Sequence, residues 1–380
     1  MNLNIQITPV QTERDKRAFY QFAWQVYKDD PYWVPHLWPQ RKQYLDKRAA
    51  FFAFGEGEYW MAKQDDKVVG TIGTAINYSL NQDKKINTAI FGFFEVLPNG
   101  WKVAKTMWDY AREWSQNKGM NELRGPYSFS GNDENGFLVE GNDCLPSIMM
   151  GHHPLYYGQF AEEYGFKPIQ DSIAYRFDLS KINYDVNNGP EIFHRIAARA
   201  RQRHGETVIR NPRMENWNEE IELLHPVYNK SLAVLPEFTP IELVEFRSQA
   251  ESLREVIDPE LVFIAEIDGK AVGFVLGLPN VTEGLRYAHG LRYPWDYLRF
   301  LIAKKKITSA SFKILAVDPD YWGYGLEAAM IVEIGKAVIR KGYTWVDGSL
   351  TNEENPQTNK FAQRLGARIY RRYREYSISI

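Results

Sequence analysis

The stretch from Ser311 to Tyr343 constrains the fold of this chain most strongly, because it predicts a strand, a tight turn and a long helix in direct succession. Ile314 to Val317 is a short apolar run, which is typical of a strand buried on both faces. Asp318 to Asp320 ends the run. From Leu326 onward apolar residues recur with the 3.6-residue period of an amphipathic helix. The unit is therefore one that builds α/β domains.

Two glycines, Gly323 and Gly325, lie in the predicted turn. A residue without a Cβ allows a sharp bend and lets a ligand approach the peptide N–H groups closely. Together with the positive end of the helix dipole, such N–H groups can bind a phosphate or a pyrophosphate. An ordinary strand-to-helix turn can also contain this glycine spacing, so the spacing alone leaves both interpretations open.

The segment from Val317 to Leu326, which reads Val-Asp-Pro-Asp-Tyr-Trp-Gly-Tyr-Gly-Leu, resembles the acyl-CoA-binding segment of the GNAT superfamily of N-acetyltransferases. The usual family form is Val-x-Pro-x-Tyr-Arg-Gly-x-Gly-Ile-Gly. Trp322 stands where the family has Arg or Gln, and Glu327 where it has Gly or Ala. The resemblance implies that a strand backbone binds pantetheine and that the turn holds the CoA pyrophosphate. The implied cofactor-binding residues are Leu315, Val317, Trp322, Gly323, Tyr324, Gly325 and Leu326.

Length and composition bound the remaining possibilities. A chain of 380 residues exceeds the usual size of a single core, so two domains are expected. The 46 basic and 48 acidic side chains nearly cancel, which argues against a nucleic-acid partner. Cys144 is the only cysteine, so no disulfide within the chain and no multi-thiolate metal site can form. With neither a secretory signal nor an apolar run of about 20 residues, we expect a cytoplasmic protein without a metal or a membrane partner. Its oligomeric state stays open.

The order of predicted elements repeats along the chain. Residues 1–183 read as strand, two helices, three strands, helix, strand, helix and strand, and residues 184–380 repeat this order with one extra helix, Tyr293 to Lys305. A repeated element order indicates a duplicated domain. The GNAT fold has the same order, so the resemblance implies two tandem GNAT-like domains of the α/β class (an α+β mixed sheet). The boundary is expected between Ser180 and Pro190.

The N-terminal copy lacks the features of the phosphate turn. Between Leu97 and Trp101 it has a single glycine followed by a bulky indole. We therefore expect a degenerate N-terminal domain and one acyl-CoA site per chain, at residues 317–327.

A polar loop at residues 124–157 is the second candidate site, because it runs for roughly 30 residues without a strong period and such loops are usually functional or disordered. Glu95 closes the preceding strand at a position where several GNAT proteins carry a catalytic carboxylate. The alternative is a structured connection whose Asn and Asp residues cap turns. The candidate residues for binding the acceptor are Asn132, Glu134, His152, Tyr156 and Tyr157.

The last predicted helix and its surroundings contain the candidate groups for proton transfer. GNAT proteins usually have an Asn here and, seven residues later, a Tyr that protonates the departing CoA thiolate. Asn355 matches the first residue and is expected to contact the cofactor, but Ala362 occupies the second position. Asp347 is a candidate base for the amine, with a capping or turn role as the alternative. The tyrosines that could replace the missing acid are Tyr343, Tyr370, Tyr373 and Tyr376.

The resemblance implies an acyl-CoA-dependent N-acyltransferase. The expected reaction is acetyl transfer from acetyl-CoA to an amine of a small molecule or peptide, by direct attack. The missing Tyr and Glu327 leave open a non-catalytic acyl-CoA sensor or scaffold protein. An aromatic content of 14% would suit bulky substrates, so a long-chain acyl or aminoacyl transferase on the same fold is a further alternative.

Overall fold

The computed structural model describes residues 5–129, 134–180, 207–234, 238 and 240–380. The expected domain boundary at residues 183 and 184 and the candidate residue Asn132 lie outside these ranges.

The N-terminal half follows the predicted order of elements and adds a helix (α4) and a strand (β6) that have no clear sequence period. Thr12 caps α1 by accepting a hydrogen bond from the amide of Asp15, whose carboxylate bonds the Thr12 amide in return. The elements are β1 (Gln6–Pro9), α1 (Glu13–Gln21), α2 (Ala23–Val26), α3 (Trp38–Leu45), β2 (Gly55–Gln64), β3 (Lys67–Asn77), α4 (Tyr78–Lys84), β4 (Thr88–Val96), α5 (Trp101–Asn117), β5 (Glu122–Gly125), β6 (Phe137–Glu140), α6 (Tyr156–Tyr164) and β7 (Lys167–Asp178).

The C-terminal half repeats this order, includes the extra helix that the sequence predicts, α10, and adds one short helix that it does not predict, α9. Its elements are β8 (Thr207–Arg210), α7 (Trp217–Leu232), α8 (Leu243–Leu253), β9 (Val262–Ile267), β10 (Lys270–Pro279), α9 (Thr282–Leu285), α10 (Pro294–Lys304), β11 (Ser309–Val317), α11 (Leu326–Arg340), β12 (Trp345–Asn352), α12 (Pro356–Arg364) and β13 (Arg368–Ser379). The strand, turn and helix predicted around the two glycines are therefore confirmed.

The described strands form one continuous mixed sheet in the order β1-β2-β3-β4-β5-β13-β7-β12-β11-β10-β9-β8, with β6 paired to β13. The last strands of the two halves are exchanged. Strand β13, at the C-terminal end, pairs with β5 of the first half, and β7 of the first half pairs with β12 of the second. Strands β7 and β13 also pair with each other in antiparallel orientation along most of their length.

The two halves of the chain are therefore not separate sheets. The α/β class and the tandem arrangement are confirmed, but each lobe contains a strand from the other half. The N-terminal lobe comprises β1 to β6 and β13, and the C-terminal lobe comprises β7 to β12. The strand pattern of a segment does not identify its neighbours, because any strand of matching length can satisfy the backbone hydrogen bonds of an edge.

The core of each lobe forms where the long helix after its fourth strand packs on the sheet. In the N-terminal lobe α5 buries Met107 and Trp108, and Trp108 stacks on Phe94 of β4 with ring centroids 4.7 Å apart. In the C-terminal lobe the apolar stripe of α11 buries Met330 and Ile334 against the sheet. Each helix therefore fixes the turn that precedes it.

Candidate functional site

Strands β11 and β12 separate from each other partway along the sheet. Their parallel pairing is limited to Ser309–Ser311 with Trp345–Asp347, after which β12 pairs only with β7, while β11 stays paired with β10 as far as Val317. A gap therefore opens along one edge of β11. Because the Asp318 amide donates to Val272 of β10, the backbone groups of Val317 and Leu315 point into the gap.

The turn after β11 has the geometry that the sequence predicts. Gly323 and Gly325 have φ angles of 81° and 78°, in the left-handed region that glycine adopts at no steric cost. Gly325 is the N-cap of α11, so the first free N–H groups of this helix follow it directly. A Cβ at Gly323 would meet no atom within 4 Å, so the turn is exposed on this side. Such an array of N–H groups suits an anion.

Two side chains already bond the backbone of Val317. Its N–H donates to Oγ of Ser231 on α7 at 3.0 Å, and its carbonyl accepts a hydrogen bond from Nε1 of Trp322 at 3.1 Å. Leu315, two residues earlier, presents its backbone on the same side, and its own side chain is 42% exposed. Sequence reasoning missed Ser231, because nothing in the pattern of α7 shows which residue reaches β11.

Acidic groups surround the turn. Glu327, on the first turn of α11, lines the same cleft as Gly323 and Gly325. Asp318 is held by Nζ of Lys230 at 3.0 Å. Asn355 also lines the cleft and caps α12, where its Oδ1 accepts from the amide of Thr358 at 3.2 Å.

A cleft of about 2410 Å³ begins at this gap and extends to the N-terminal lobe. This volume exceeds the roughly 300–1,000 Å³ of pockets that hold drug-sized ligands. Much of the wall is apolar and aromatic. Residues of both lobes contribute to it, among them Phe51, Phe93, Met149, Met150, Leu224, Tyr228, Phe246, Phe312, Leu315 and Phe361.

Asp347 lies where β11 and β12 separate, but its side chain is fully buried. Its carboxylate accepts a hydrogen bond from Oγ of Ser311. It accepts a second from the phenol of Tyr370 at 3.0 Å. Nζ of Lys313 lies 3.6 Å from the same carboxylate. The wall of the cleft includes Lys313 but not Asp347. The geometry therefore favours a structural role, in which Asp347 orients Lys313 and Tyr370.

The four candidate tyrosines occupy different places. Tyr370 is the one that contacts Asp347 at the separation of the two strands, and burial raises its pKa well above the ordinary value. Tyr373 donates to the carbonyl of Gly151 and Tyr376 to Glu162. Tyr343 is half-buried against the C-terminal core. The fold therefore brings one phenol, that of Tyr370, to the region where the gap begins.

The equivalent gap in the N-terminal lobe is filled by protein. Strands β4 and β5 also pair over only three residues, Thr88–Ile90 with Glu122–Arg124. Beyond them Tyr157 accepts a hydrogen bond from the amide of Val96 at 2.9 Å, and Tyr156 donates to the Val96 carbonyl at 2.7 Å. Val96 corresponds in position to Val317. Helix α6 thus occupies the space that remains accessible in the C-terminal lobe.

Glu95 lies behind these tyrosines, beside a small cavity of about 40 Å³. Its carboxylate accepts hydrogen bonds from Tyr157 at 2.7 Å and from Tyr27 at 3.4 Å. Burial raises the pKa of Glu95 to about 7, although both phenol hydrogen bonds act to lower it. Glu95 is thus close to half-protonated at neutral pH.

A charged cluster separates this cavity from the large cleft. Glu134 lies 2.9 Å from Nδ1 of His36 and 3.8 Å from Arg41. Burial raises the pKa of Glu134, but His36 and Arg41 outweigh it and bring the pKa to about 2. Burial lowers the pKa of the neighbouring His153 to about 4. Sequence reasoning included Glu134 but missed its two cations, which lie almost 100 residues earlier.

His152 belongs to a second chain of polar contacts. Its Nε2 lies 2.8 Å from Asp30, and its Nδ1 lies 3.1 Å from the guanidinium of Arg371 on β13. Arg371 is fully buried and also donates to the carbonyl of Gly151. His152 lines the large cleft at the centre of the sheet, where the exchanged strands meet. Within the described ranges, no group of three or more His, Cys, Asp or Glu residues could hold a metal ion.

Comparisons with known proteins agree with this architecture, although no protein-family model matches the chain. A bacterial ceramide synthase of Caulobacter vibrioides is 29% identical over 384 aligned residues, covering 99% of this chain and 97% of that protein. Protein YghO of Escherichia coli is 25% identical over 374 residues, covering 97% of this chain and 94% of that protein.

Among solved structures, a tandem GNAT protein from the clavulanic acid biosynthesis pathway superimposes with a TM-score of 0.59 and 13% identity. The match covers 99% of this chain and 98% of that one, and therefore includes both lobes. The chain is a tandem protein of the GNAT fold.

Proposed function

We propose that this protein is an acyl-CoA-dependent N-acyltransferase that binds one acyl-CoA per chain in the C-terminal lobe. The gap between β11 and β12, which leads into the glycine turn, is the observation that carries the proposal. The gap presents backbone groups to an extended ligand, and the turn presents N–H groups to an anion, in the order that an acyl-CoA requires. Because protein fills the gap of the N-terminal lobe, we expect one acyl-CoA per chain.

The cofactor assignments follow from the position of each residue along this path. In this proposal the pantetheine arm lies along Leu315, because side chains already bond both backbone groups of Val317. The indole of Trp322 covers the start of the turn, and Asn355 borders the opposite wall. The pyrophosphate lies against the turn Gly323, Tyr324, Gly325 and Leu326. The amides of Gly323, Gly325 and Leu326 bind it, because the Tyr324 amide already donates to the carbonyl of Tyr321 at 3.3 Å.

The chemistry needs a neutral amine, which attacks the thioester carbonyl as the carbon–sulfur bond breaks. The nitrogen releases one proton to solvent as the amide forms, the thiolate takes up one proton from a donor, and solvent returns a proton to that donor. We assign the proton donor to Tyr370, because its phenol lies where the gap begins and its oxygen is 3.6 Å from the sulfur of Met150, which lines the cleft. Asp347 then acts as a positioning residue that holds the phenol and Lys313. Lys313 faces the cleft and is placed to orient the reacting groups.

Glu95 has a different role in this proposal. Strand β4 is five strand spacings from β11 in the sheet, or about 24 Å along it at ~4.8 Å per spacing. Glu95 therefore lies too far from β11 to deprotonate an amine there. We assign Glu95, Tyr156 and Tyr157 to closing the N-terminal gap, and Glu134 and His152 to the distal wall that meets the acceptor.

Two observations favour long-chain substrates over acetyl-CoA and a small amine. The cleft is larger than an acetyl group and a small amine require, and aromatic and aliphatic side chains line much of it. The name of the Caulobacter relative refers to a ceramide, a lipid whose two apolar chains are joined by an amide. We therefore propose that the acceptor is a long-chain amine and the donor a long-chain acyl-CoA.

A turnover assay tests this function. Purified protein is incubated with acyl-CoA thioesters of two to eighteen or so carbons and with short-chain and long-chain amines, and the free thiol and the amide product are measured. We expect amide formation that is faster with long chains on both substrates. Acyl-CoA binding without amide formation from any amine would instead favour the sensor or scaffold alternative.

A further inference from the structure

Helix α10 turns an apolar face outward. Trp295, Leu298, Leu301 and Ile302 have exposed fractions of 55%, 61%, 58% and 59%. At 100° per residue these four side chains fall on one side of the helix. A helix on the surface of a protein normally presents its polar side to water.

The opposite side of α10 fixes this orientation. Asp296 is buried and accepts a hydrogen bond from the amide of Tyr293 at 3.1 Å, which caps the helix. Phe300 packs against Gly284 of α9, where an added Cβ would lie 3.3 Å from the ring. Nζ of Lys304 donates to the carbonyl of Glu255 at 3.3 Å. The helix is therefore anchored through its polar side and Phe300.

The surroundings of this face are strongly basic. Residues 286–306 contain six Lys or Arg residues and one acidic residue, Asp296, which is buried. The net charge of this segment is thus +5, whereas that of the whole chain is −2. Three of the cations, Lys304, Lys305 and Lys306, follow one another at the end of the helix. Such a segment complements an anionic surface.

Aromatic side chains border the same face. Tyr293 and Trp295 stack at the start of the helix with ring centroids 4.9 Å apart, and both are exposed. Tyr and Trp are the side chains most enriched at the boundary between lipid and water. Basic residues, a half-exposed aromatic pair and an apolar stripe together are typical of helices that lie in a membrane interface.

The helix also borders the substrate cleft. Tyr297 and Phe300 belong to the wall of the cleft that contains the glycine turn. A long-chain molecule that leaves a bilayer at α10 would therefore meet the mouth of the cleft. This link rests on the proposed function, whereas binding of a bilayer does not.

We propose that the outward face of α10 docks on the surface of an anionic lipid bilayer. The contact is interfacial, since the described helices include none long and apolar enough to span a bilayer. This proposal reverses the expectation from the sequence that no membrane partner exists. The residues that enter the interface are Tyr293, Trp295, Leu298, Leu301 and Ile302, with Lys305 and Lys306 at the lipid phosphates.

Co-sedimentation of the full chain with vesicles tests the proposal without any acyl-CoA or amine. We expect binding to phosphatidylcholine vesicles that contain phosphatidylglycerol to be at least about tenfold tighter than binding to phosphatidylcholine alone, with the difference shrinking at high salt. The double substitution Leu298→Asp with Leu301→Asp should weaken binding at least about tenfold. The matched control is Val244→Asp on α8, at a position that is 81% exposed, and it should bind as the parent protein does.

Three outcomes would overturn the proposal. The first is no vesicle binding by the parent protein. The second is vesicle binding that the double substitution leaves unchanged while thermal unfolding shows a folded protein. The third is a parent protein that sediments as a dimer without vesicles and becomes a monomer on the double substitution, which would assign the face to a second copy of the chain. Failure of CoA binding or of amine turnover would not affect any of these results, so the two proposals can fail separately.

Discussion

Glu95 combines a strongly raised pKa with two phenol partners. Because its pKa rises from an ordinary 4.5 to about 7 on folding, the folded protein binds a proton that the unfolded chain releases. Proton binding by Glu95 therefore stabilises the folded protein. This stabilisation is fully present below pH 4.5 and is lost as the pH rises through 7. A shift of this size corresponds to about 3 kcal/mol at most.

Glu95→Gln should therefore flatten the pH dependence of stability, because the amide is neutral at every pH. Between pH 5 and pH 8 the free energy of unfolding of the parent protein should fall by up to about 3 kcal/mol relative to that of the variant. Urea unfolding of both proteins at the two pH values measures this difference. If both proteins respond to pH in the same way, Glu95 is not protonated in the folded state.

Glu327 is the second residue whose charge can be tested. It lines the cleft beside the turn proposed to bind the pyrophosphate, where a carboxylate repels a phosphate by roughly 1–4 kcal/mol at about 4 Å. Glu327→Gln should tighten CoA binding at least about fivefold at low salt and less at high salt. Glu333→Gln on the same helix is the matched control, since Glu333 pairs with Lys336. Equal affinities of all three proteins would show that Glu327 does not face the ligand.

The sequence predicted the role of a residue where that role depends on the local backbone conformation. Gly323 and Gly325 are recognisable because the turn needs positive φ angles at these positions. Ser231 was not predicted, and Tyr370 was one of four candidate tyrosines that the sequence could not distinguish, because both roles depend on which strand each residue reaches across the fold. Asp347 was a candidate base, and its burial could not be read from its neighbours along the chain.

At the scale of elements, helix α6 determines whether the N-terminal lobe has a gap. Tyr157→Phe keeps the packed ring and removes the hydroxyl that bonds Val96 and Glu95. This change should destabilise the protein by about 1–3 kcal/mol, because it leaves buried groups unpaired. Tyr156→Phe, at a less buried position with one bond to Val96, should cost about 0.5–1.5 kcal/mol. Neither should alter CoA affinity, and a loss of affinity in a folded variant would contradict the assignment to gap closure.

The order of elements was predictable because apolar periods of 2 and 3.6 distinguish strands from helices. Helix α4 and strand β6 were not predicted, because they are short and their apolar residues have no clear period. The extra helix α10 was predicted, but its outward apolar face was not. A period shows that a helix has an apolar side, and only the fold shows whether another element covers it.

At the scale of the whole molecule, the exchange of β7 and β13 joins the two lobes into one sheet. Each lobe depends on a strand that the other half of the chain supplies, so we expect a single unfolding transition by calorimetry. Tyr373→Ala, at a fully buried position in β13, should lower the temperature of the whole transition. Two separate transitions, of which the substitution moves one, would show that the lobes unfold independently. The sequence could not predict this exchange, since β7 and β13 both read as ordinary strands.

The central claim is that one acyl-CoA binds at the glycine turn of the C-terminal lobe, and isothermal titration with CoA tests it most directly. We predict one site per chain for the parent protein, loss of binding in Gly325→Trp, and unchanged binding in Trp101→Ala at the equivalent turn of the N-terminal lobe. Thermal unfolding of each variant confirms that it is folded. Two equivalent sites per chain, or binding that survives Gly325→Trp and disappears in Trp101→Ala, would contradict the account.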